Sequence, residues 1–411
     1  MKAGRPAVLL MLILLLPALL APGCWDQREP QDQAIILGLA IDFIEETALY
    51  EVFVETAIPS ALAGAEGGSQ GGGGPVSQVL GARGYTIFEA LRDLEPLSPR
   101  ELYWGDSELV IFSETLARQG LAPVLDFFER ERHSRMTSRP LVARNDLQEL
   151  LRVDLPLEDT AGLGFLSQII TQELSSASVP AVDLRRVVMM LSQPGIEVFL
   201  PQIRLAGGEG GAGGGGAGGS GGGAEAQPPA QVVRIESGAA FKGDRLAGWL
   251  GPEATRGWLW ITGNINRATE SVPCPVCDGF SSIEVIHYTH SLEAVIEAGK
   301  PKVIVRLNAD SRIQDLNCKH PFAGSREEII STLNSRMAEA IRRKMELALA
   351  EARALQSDIF GFGREFYRRH PRWWSAMEKD WPFIFQDLPV ELQVQVNLRR
   401  IGLILDPVEV R

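Results

Sequence analysis

The sequence predicts an α+β protein of two to three domains, built from mostly antiparallel sheets flanked by helices. Three patterns carry that expectation. β-prone runs come in pairs separated by short polar turns, one long stretch repeats apolar residues at three- and four-residue steps, and one late run alternates between apolar and polar residues. At 411 residues the chain can bury more than one core. Its 45% apolar and 22% charged residues are a globular composition.

Lys2 and Arg5 precede an apolar run from Ala7 to Ala21. That run is about five residues short of a bilayer-crossing helix, so residues 1–23 read as a signal peptide, here of the lipoprotein kind, rather than a permanent span. Ala21, Pro22 and Gly23 lead into Cys24. A thiol directly after small residues resembles a lipobox, although Leu20 stands four residues before the cysteine where the box usually has its leucine three before. The expectation is that Cys24 is lipidated and becomes the first residue of the mature chain. An ordinary signal peptide cut nearby would instead leave Cys24 as a free thiol in an exported protein, a poor place for one.

Further on, Ala34–Asp42 and Leu49–Ile58 are β-prone runs around an acidic turn, which predicts an antiparallel pair. Thr86 can cap a helix that places Ile87, Leu91 and Leu94 on one face. Ser107–Phe112 reads as a short buried strand, and residues 120–132 as an amphipathic helix with Leu121, Val124, Leu125 and Phe128 inward. Two low-complexity stretches interrupt the chain. Residues 61–75 are rich in Gly and Ala, and residues 207–223 hold 13 glycines in 17 positions. Such a composition cannot bury enough apolar surface to offset its backbone entropy. The Gly-rich stretch at 206–229 is therefore read as a linker or long loop, dividing an N-terminal region, 24–205, from a C-terminal domain, 230–411.

Beyond it, residues 282–290 and 302–313 are strand-like and flank a turn at Ala298–Pro301, with residues 291–297 continuing the first strand. Ser325 and Glu328 have the spacing of a capping box. Ile330, Leu333, Met337, Ile341, Met345, Ala348, Ala352 and Leu355 then predict one long helix with a core-facing stripe. Val390, Leu392, Val394, Val396 and Leu398 alternate with polar residues, which predicts a strand with one buried face. Gly361 and Gly363 permit a sharp connection, and Pro371 ends a helix before it. Trp373, Trp374, Trp381 and Phe385 are spaced so that several share one helix face, and are read as core.

Those residues also carry a resemblance. Asp358, Phe360, Gly361, Gly363, His370-Pro371, Trp374, Trp381, Phe385, the alternating strand and Gly402 are similar to the closing segment of the Ger(x)C (GerAC-like) spore germination lipoproteins, the C subunits of GerA-type nutrient germinant receptors. The stretch Gly23–Glu29 with the strand after it, Tyr85–Phe112, and Gly257–Asn266 resemble the same family, so the similarity spans nearly the whole chain. It implies a non-enzymatic subunit anchored through lipid on the outer face of the cytoplasmic membrane or the inner spore membrane. It also implies assembly with the integral-membrane A and B subunits of the receptor, where nutrient binding and ion release are expected to reside.

The family pattern requires only the lipidated cysteine, and this chain departs from it with Cys274, Cys277 and Cys318, the last followed by His320. These four could supply tetrahedral zinc. Export equally permits a disulfide from Cys318 to one of the pair, or free thiols. Each would be a local staple, and no other cofactor is expected.

The charge excludes some classes. The chain has 52 acidic and 40 basic residues, and removing residues 1–23 takes away Lys2 and Arg5 and no acid, moving the net charge from −12 to −14. Nucleic acid is then no partner, since binding it needs positive charge against phosphate, and membrane residence would have to come from acyl chains. There is no Gly-x-Ser-x-Gly elbow outside the two glycine-rich stretches and no His-Glu-x-x-His helix, and His133, His287, His290 and His370 sit in unrelated contexts. The alternative reading is an ABC-type solute-binding lipoprotein, disfavoured because such proteins use parallel sheets while these strands look antiparallel.

Overall fold

Strand β1 (Gln33–Ile44) turns back through residues 45–48 into β2 (Leu49–Ala57), antiparallel as the sequence predicts, with Ile41 opposite Val52. The computed structural model describes residues 32–58, 76–155, 157–175, 178–206, 232–275, 278–317 and 325–400. The signal segment, Cys24 and Gly402 lie outside them. β3 (Ser77–Gly84) adds to β2, and helix α1 (Ile87–Leu94) follows with Thr86 accepting the Glu89 N–H as its cap. The short β4 (Glu101–Tyr103) and the wholly buried β5 (Leu109–Ser113) both pair parallel with β1.

Helices α2 (Glu114–Gln119) and α3 (Ala122–Arg130) lead to β6 (Arg139–Ala143), then α4 (Leu147–Leu151), α5 (Ala161–Ser175), α6 (Leu184–Leu191) and β7 (Phe199–Ala206). The four residues expected inward around α3, Leu121, Val124, Leu125 and Phe128, are buried. β5, β6 and β7 pair parallel in that order. The sheet therefore has a parallel centre with antiparallel flanks. Its signal was the unbroken apolar run of β5: a parallel strand covered on both faces shows no alternation. Helices α1, α3 and α6 cover one face and α4 and α5 the other, each over its own apolar cluster.

β8 (Val232–Lys242) and β9 (Arg245–Leu250) complete this nine-stranded sheet, because β8 pairs antiparallel with β7. The first sheet thus runs past the glycine-rich stretch and ends at Leu250, not near residue 205. Composition at 206–229 marks a connection between neighbouring strands.

The second layer starts with α7 (Pro252–Thr262) and β10 (Ala268–Pro273). β11 (Phe280–Glu297) and β12 (Lys300–Leu316) form a long hairpin closed by Ala298 and Gly299, both at positive φ. Helix α8 (Arg326–Ala354) opens with the predicted capping box, in which Ser325 Oγ accepts the Glu328 N–H and the Glu328 carboxylate accepts the Ser325 N–H, each at 3.3 Å. Leu333, Met337, Ile341, Met345, Ala348 and Ala352 are fully buried, as expected, and Ile329 rather than Ile330 leads the stripe. Three short helices, α9 (Phe362–Arg369), α10 (Pro371–Met377) and α11 (Trp381–Asp387), precede β13 (Val390–Arg400), which pairs parallel with β12. Buried Glu270 of β10 takes Lys344 at 2.6 Å and Arg256 at 3.2 Å, tying β10, α7 and α8 together.

Candidate functional site

Where helix α8 ends, three consecutive residues reach the first sheet, two through side chains and one through its carbonyl. Gln356, at φ 53°, accepts from Lys242 Nζ at 2.8 Å, and the buried Ser357 hydroxyl donates to the Phe241 carbonyl. Asp358 is only 3% exposed. Its carboxylate accepts the Phe362 N–H at 3.1 Å, the Gly363 N–H at 2.7 Å and the Trp381 Nε1–H at 3.0 Å, while its carbonyl accepts the Glu197 N–H at 3.0 Å. One aspartate therefore orders the start of α9, fixes α11 and touches the strand approach to β7.

Glycines make that meeting possible. Gly361 starts α9 at φ 74°. Gly195, at φ 73°, lies so close to α9 that a Cβ would stand 2.3 Å from the Gly363 carbonyl carbon. A Cβ on Gly363 would stand 2.7 Å from both Trp374 and Trp381. The Arg364 N–H then donates to the Gly195 carbonyl at 2.6 Å.

Burial pushes the Asp358 carboxyl up to about 6, against the opposing pull of the Gly363, Phe362 and Trp381 donors. Half-buried Glu197 is pushed up to about 7, chiefly by burial and further by Asp358, while the Gly243 N–H and Lys242 pull the other way. The Asp358 carboxylate is enclosed and saturated by protein donors. It is built to hold geometry, and has no open face for a substrate.

The aromatic residues around it do not share one helix face, as expected from their spacing. Pro371 starts a new helix, so Trp373 and Trp374 lie on α10 and Trp381 and Phe385 on α11. They converge instead: Trp374 packs 5.2 Å from Trp381, and Phe366 of α9 lies 5.6 Å from Trp381 and 5.0 Å from Trp373, ring centre to ring centre. Trp374, Trp381 and Phe385 are core, and Trp373 is partly buried against it.

Of the sequence candidates, Cys274 is buried just after β10, where its N–H donates to the Gly279 carbonyl and its own carbonyl accepts from Arg336. Cys277, Cys318 and His320 lie outside the described residues, as does Cys24. The sheet does bring the roots of the two cysteine segments to one end, since Pro273 pairs with Phe280 and the Asn317 N–H donates to the Phe280 carbonyl. Among the described residues no group of three or more His, Cys, Asp or Glu could hold a metal ion. The histidines stand apart: His133 contacts Glu131, His287 is exposed, His290 bonds the Ile261 carbonyl and His370 the Ala294 carbonyl.

Comparison with known proteins accounts for this two-part body. Residues 26–205 match the family model described as "Spore germination protein N-terminal domain", and residues 236–402 match "Spore germination B3/ GerAC like, C-terminal". The chain belongs to the GerAC-like spore germination family. The two matches take in most of the segments that carry the resemblance, from Asp26 to Gly402. Among curated GerAC relatives, spore germination protein KC of Bacillus subtilis (strain 168) is 25% identical over 406 residues, covering 98% of this chain and 97% of its own. The putative spore germination protein YfkR of the same organism is 25% identical over 395 residues, covering 95% and 96%. The fold matches the crystal structure of the GerBC protein with a TM-score of 0.55 at 14% identity, over 88% of this chain and 97% of that one. In this GerAC protein, the residues that carried the resemblance near Asp358 are those of the joint. Glu197 and Gly195, its partners across the chain, gave no sequence signal beyond a Pro-Gly turn.

Proposed function

We propose that the protein is the lipoprotein subunit of a nutrient germinant receptor, tethered through Cys24 and packed against integral-membrane A and B subunits at the outer face of the cytoplasmic membrane or the inner spore membrane. The observation that carries this reading is the match of both halves to GerAC-type models, with nearly full-length coverage of spore germination protein KC. Among the described residues no helix is long and apolar enough to cross a membrane, so a tether at Cys24 supplies what the acidic surface cannot. Attachment through both lipid and protein contacts raises the effective concentration of the subunit beside its partners, and the rigid joint at Asp358 transmits that placement from one sheet to the other. The role is one of assembly and gating rather than catalysis. The family assignment takes the support from the alternative, an ABC-type solute-binding lipoprotein.

The test is Cys24→Ala at native expression. Loss from the membrane fraction together with slowed nutrient germination is the expected result, and normal assembly with normal germination overturns it. For the second cysteine group the reading is a local staple at the end of the second sheet, as a disulfide or as zinc held by Cys274, Cys277, Cys318 and His320. Metal analysis of the purified protein with thiol counting before and after reduction separates the two, and thiols that are all reactive with no bound zinc remove both.

A further inference from the structure

On the other side of the joint lies a cleft of about 290 Å³ between the two sheets' helices. Its walls are more polar than apolar, with Ile196 and Leu292 standing beside Thr262, Asn264 and Glu365, and its basic groups are unusual for so acidic a chain. Arg186 of α6 stands on one side and Arg364 and Arg368 of α9 on the other. Arg368 is paired with Glu365 at 3.3 Å. Arg186 and Arg364 form no ion pair among the described residues; burial and then the Arg186 charge work against the protonated form of Arg364, while the Glu365 and Asp358 charges favour it. The nearby His290 adds no charge to offset: its Nε2 bonds the Ile261 carbonyl at 2.7 Å, and burial lowers its pKa. Exposed Arg186 and half-buried Arg364 thus face the cleft with no carboxylate paired to either, since Glu365 is engaged by Arg368 and Arg369, which leaves both guanidiniums able to take an anion.

We infer that this cleft binds a small organic carboxylate, its charge shared by the Arg364 and Arg186 guanidiniums and its body against Ile196 and Leu292. The guanidinium fork matches a carboxylate with two parallel hydrogen bonds. The volume lies at the small end of ligand sites, and with Arg368 paired to Glu365 two guanidiniums remain to share one carboxylate. Because the cleft takes walls from both halves of the chain, such a ligand would bridge them next to the Asp358 joint. The inference does not depend on the receptor reading above.

The experiment is calorimetric titration of the full-length protein with benzoate, with the neutral benzamide and with inorganic phosphate. Saturable benzoate binding, at least about tenfold tighter than benzamide, is expected, and Arg364→Gln and Arg186→Gln should each weaken it by about tenfold or more. Arg368→Gln should weaken it less. Arg364→Lys keeps the charge without the fork, and should fall between wild type and Arg364→Gln. Unchanged near-ultraviolet circular dichroism shows that the variants fold. Benzoate binding no tighter than benzamide, binding indifferent to both arginine changes, or phosphate binding tighter than benzoate each overturns the inference.

Discussion

Two buried carboxylates in this molecule solve the same problem with different reach. Glu55 of β2 is fully shielded and accepts the Ala161 N–H at 3.0 Å, the Gly162 N–H at 2.6 Å and the Ser77 hydroxyl at 2.7 Å. It satisfies two of the orphan donors at the start of α5, and its charge sits at the favourable end of that helix's dipole. Asp358 likewise meets N–H donors instead of a cation, but its carboxylate's partners belong to α9 and α11, while its main-chain carbonyl accepts the Glu197 N–H just before β7. Glu55 fixes a layer inside one half. Asp358 fixes the start of α9, where the Arg364 N–H meets the Gly195 carbonyl of the other half, so damage there should reach further.

The sharpest way to break that contrast is Asp358→Ala. It leaves three buried donors unmet, at about 1–3 kcal/mol each before relaxation, and a loss of about 4 kcal/mol is expected in denaturant unfolding. Proteolysis should open first around residues 355–365. A single cooperative transition shifted by less than about 1 kcal/mol would show that the joint contributes little.

Gly195→Ala follows, since it forces a side chain into positive-φ backbone and against the Gly363 carbonyl carbon. A loss of about 3 kcal/mol is expected, and a Gly195→Ala protein as stable as wild type would mean the two halves part there without cost. Glu55→Gln comes third. It keeps the shape but turns one acceptor into a donor facing the start of α5, so about 2 kcal/mol is expected, without a change in proteolysis at 355–365. Opening at the joint in that variant would erase the distinction between the two carboxylates.

How much of this was visible in the chain depends on the range of the interaction. The β1–β2 pair, the α1 cap, the capping box of α8 and the β11–β12 hairpin are set by neighbours a few residues apart, and all were legible. β5 to β7 were less so, because parallel pairing joins segments separated by helices and leaves no periodic signature. The joint is the extreme case. Ser-Asp before an apolar, glycine-containing stretch, residues 357–363, signals a buried acid only once its donors are known. One of those donors is an indole 23 residues on, and Gly195 and Glu197 are more than 160 positions upstream. Nothing local marks residues so far apart as neighbours.

The smallest effect is a pH dependence that separates the joint from the rest of the fold. The Asp358 carboxyl keeps its proton up to about pH 6 when folded but releases it near its ordinary 3.8 when unfolded. Between those values the folded state binds more protons, so stability falls as pH rises. This contribution is fully present below about pH 4 and lost on passing pH 6, and for Asp358 alone it amounts to about 1 kcal/mol between pH 5 and 7. Glu197, raised to about 7, acts in the same direction. Glu114 and Glu284 run the other way: burial raises each, but the hydrogen bonds and charges of their partners, led by Arg118 and Arg312, together outweigh it and leave both lowered, so their stabilisation is lost only in more acid solution. Unfolding midpoints measured from pH 5 to 7 should therefore decline for the wild type and decline less steeply in Asp358→Asn, where Glu197 still titrates. Equal slopes in the two proteins would place the titrating group elsewhere.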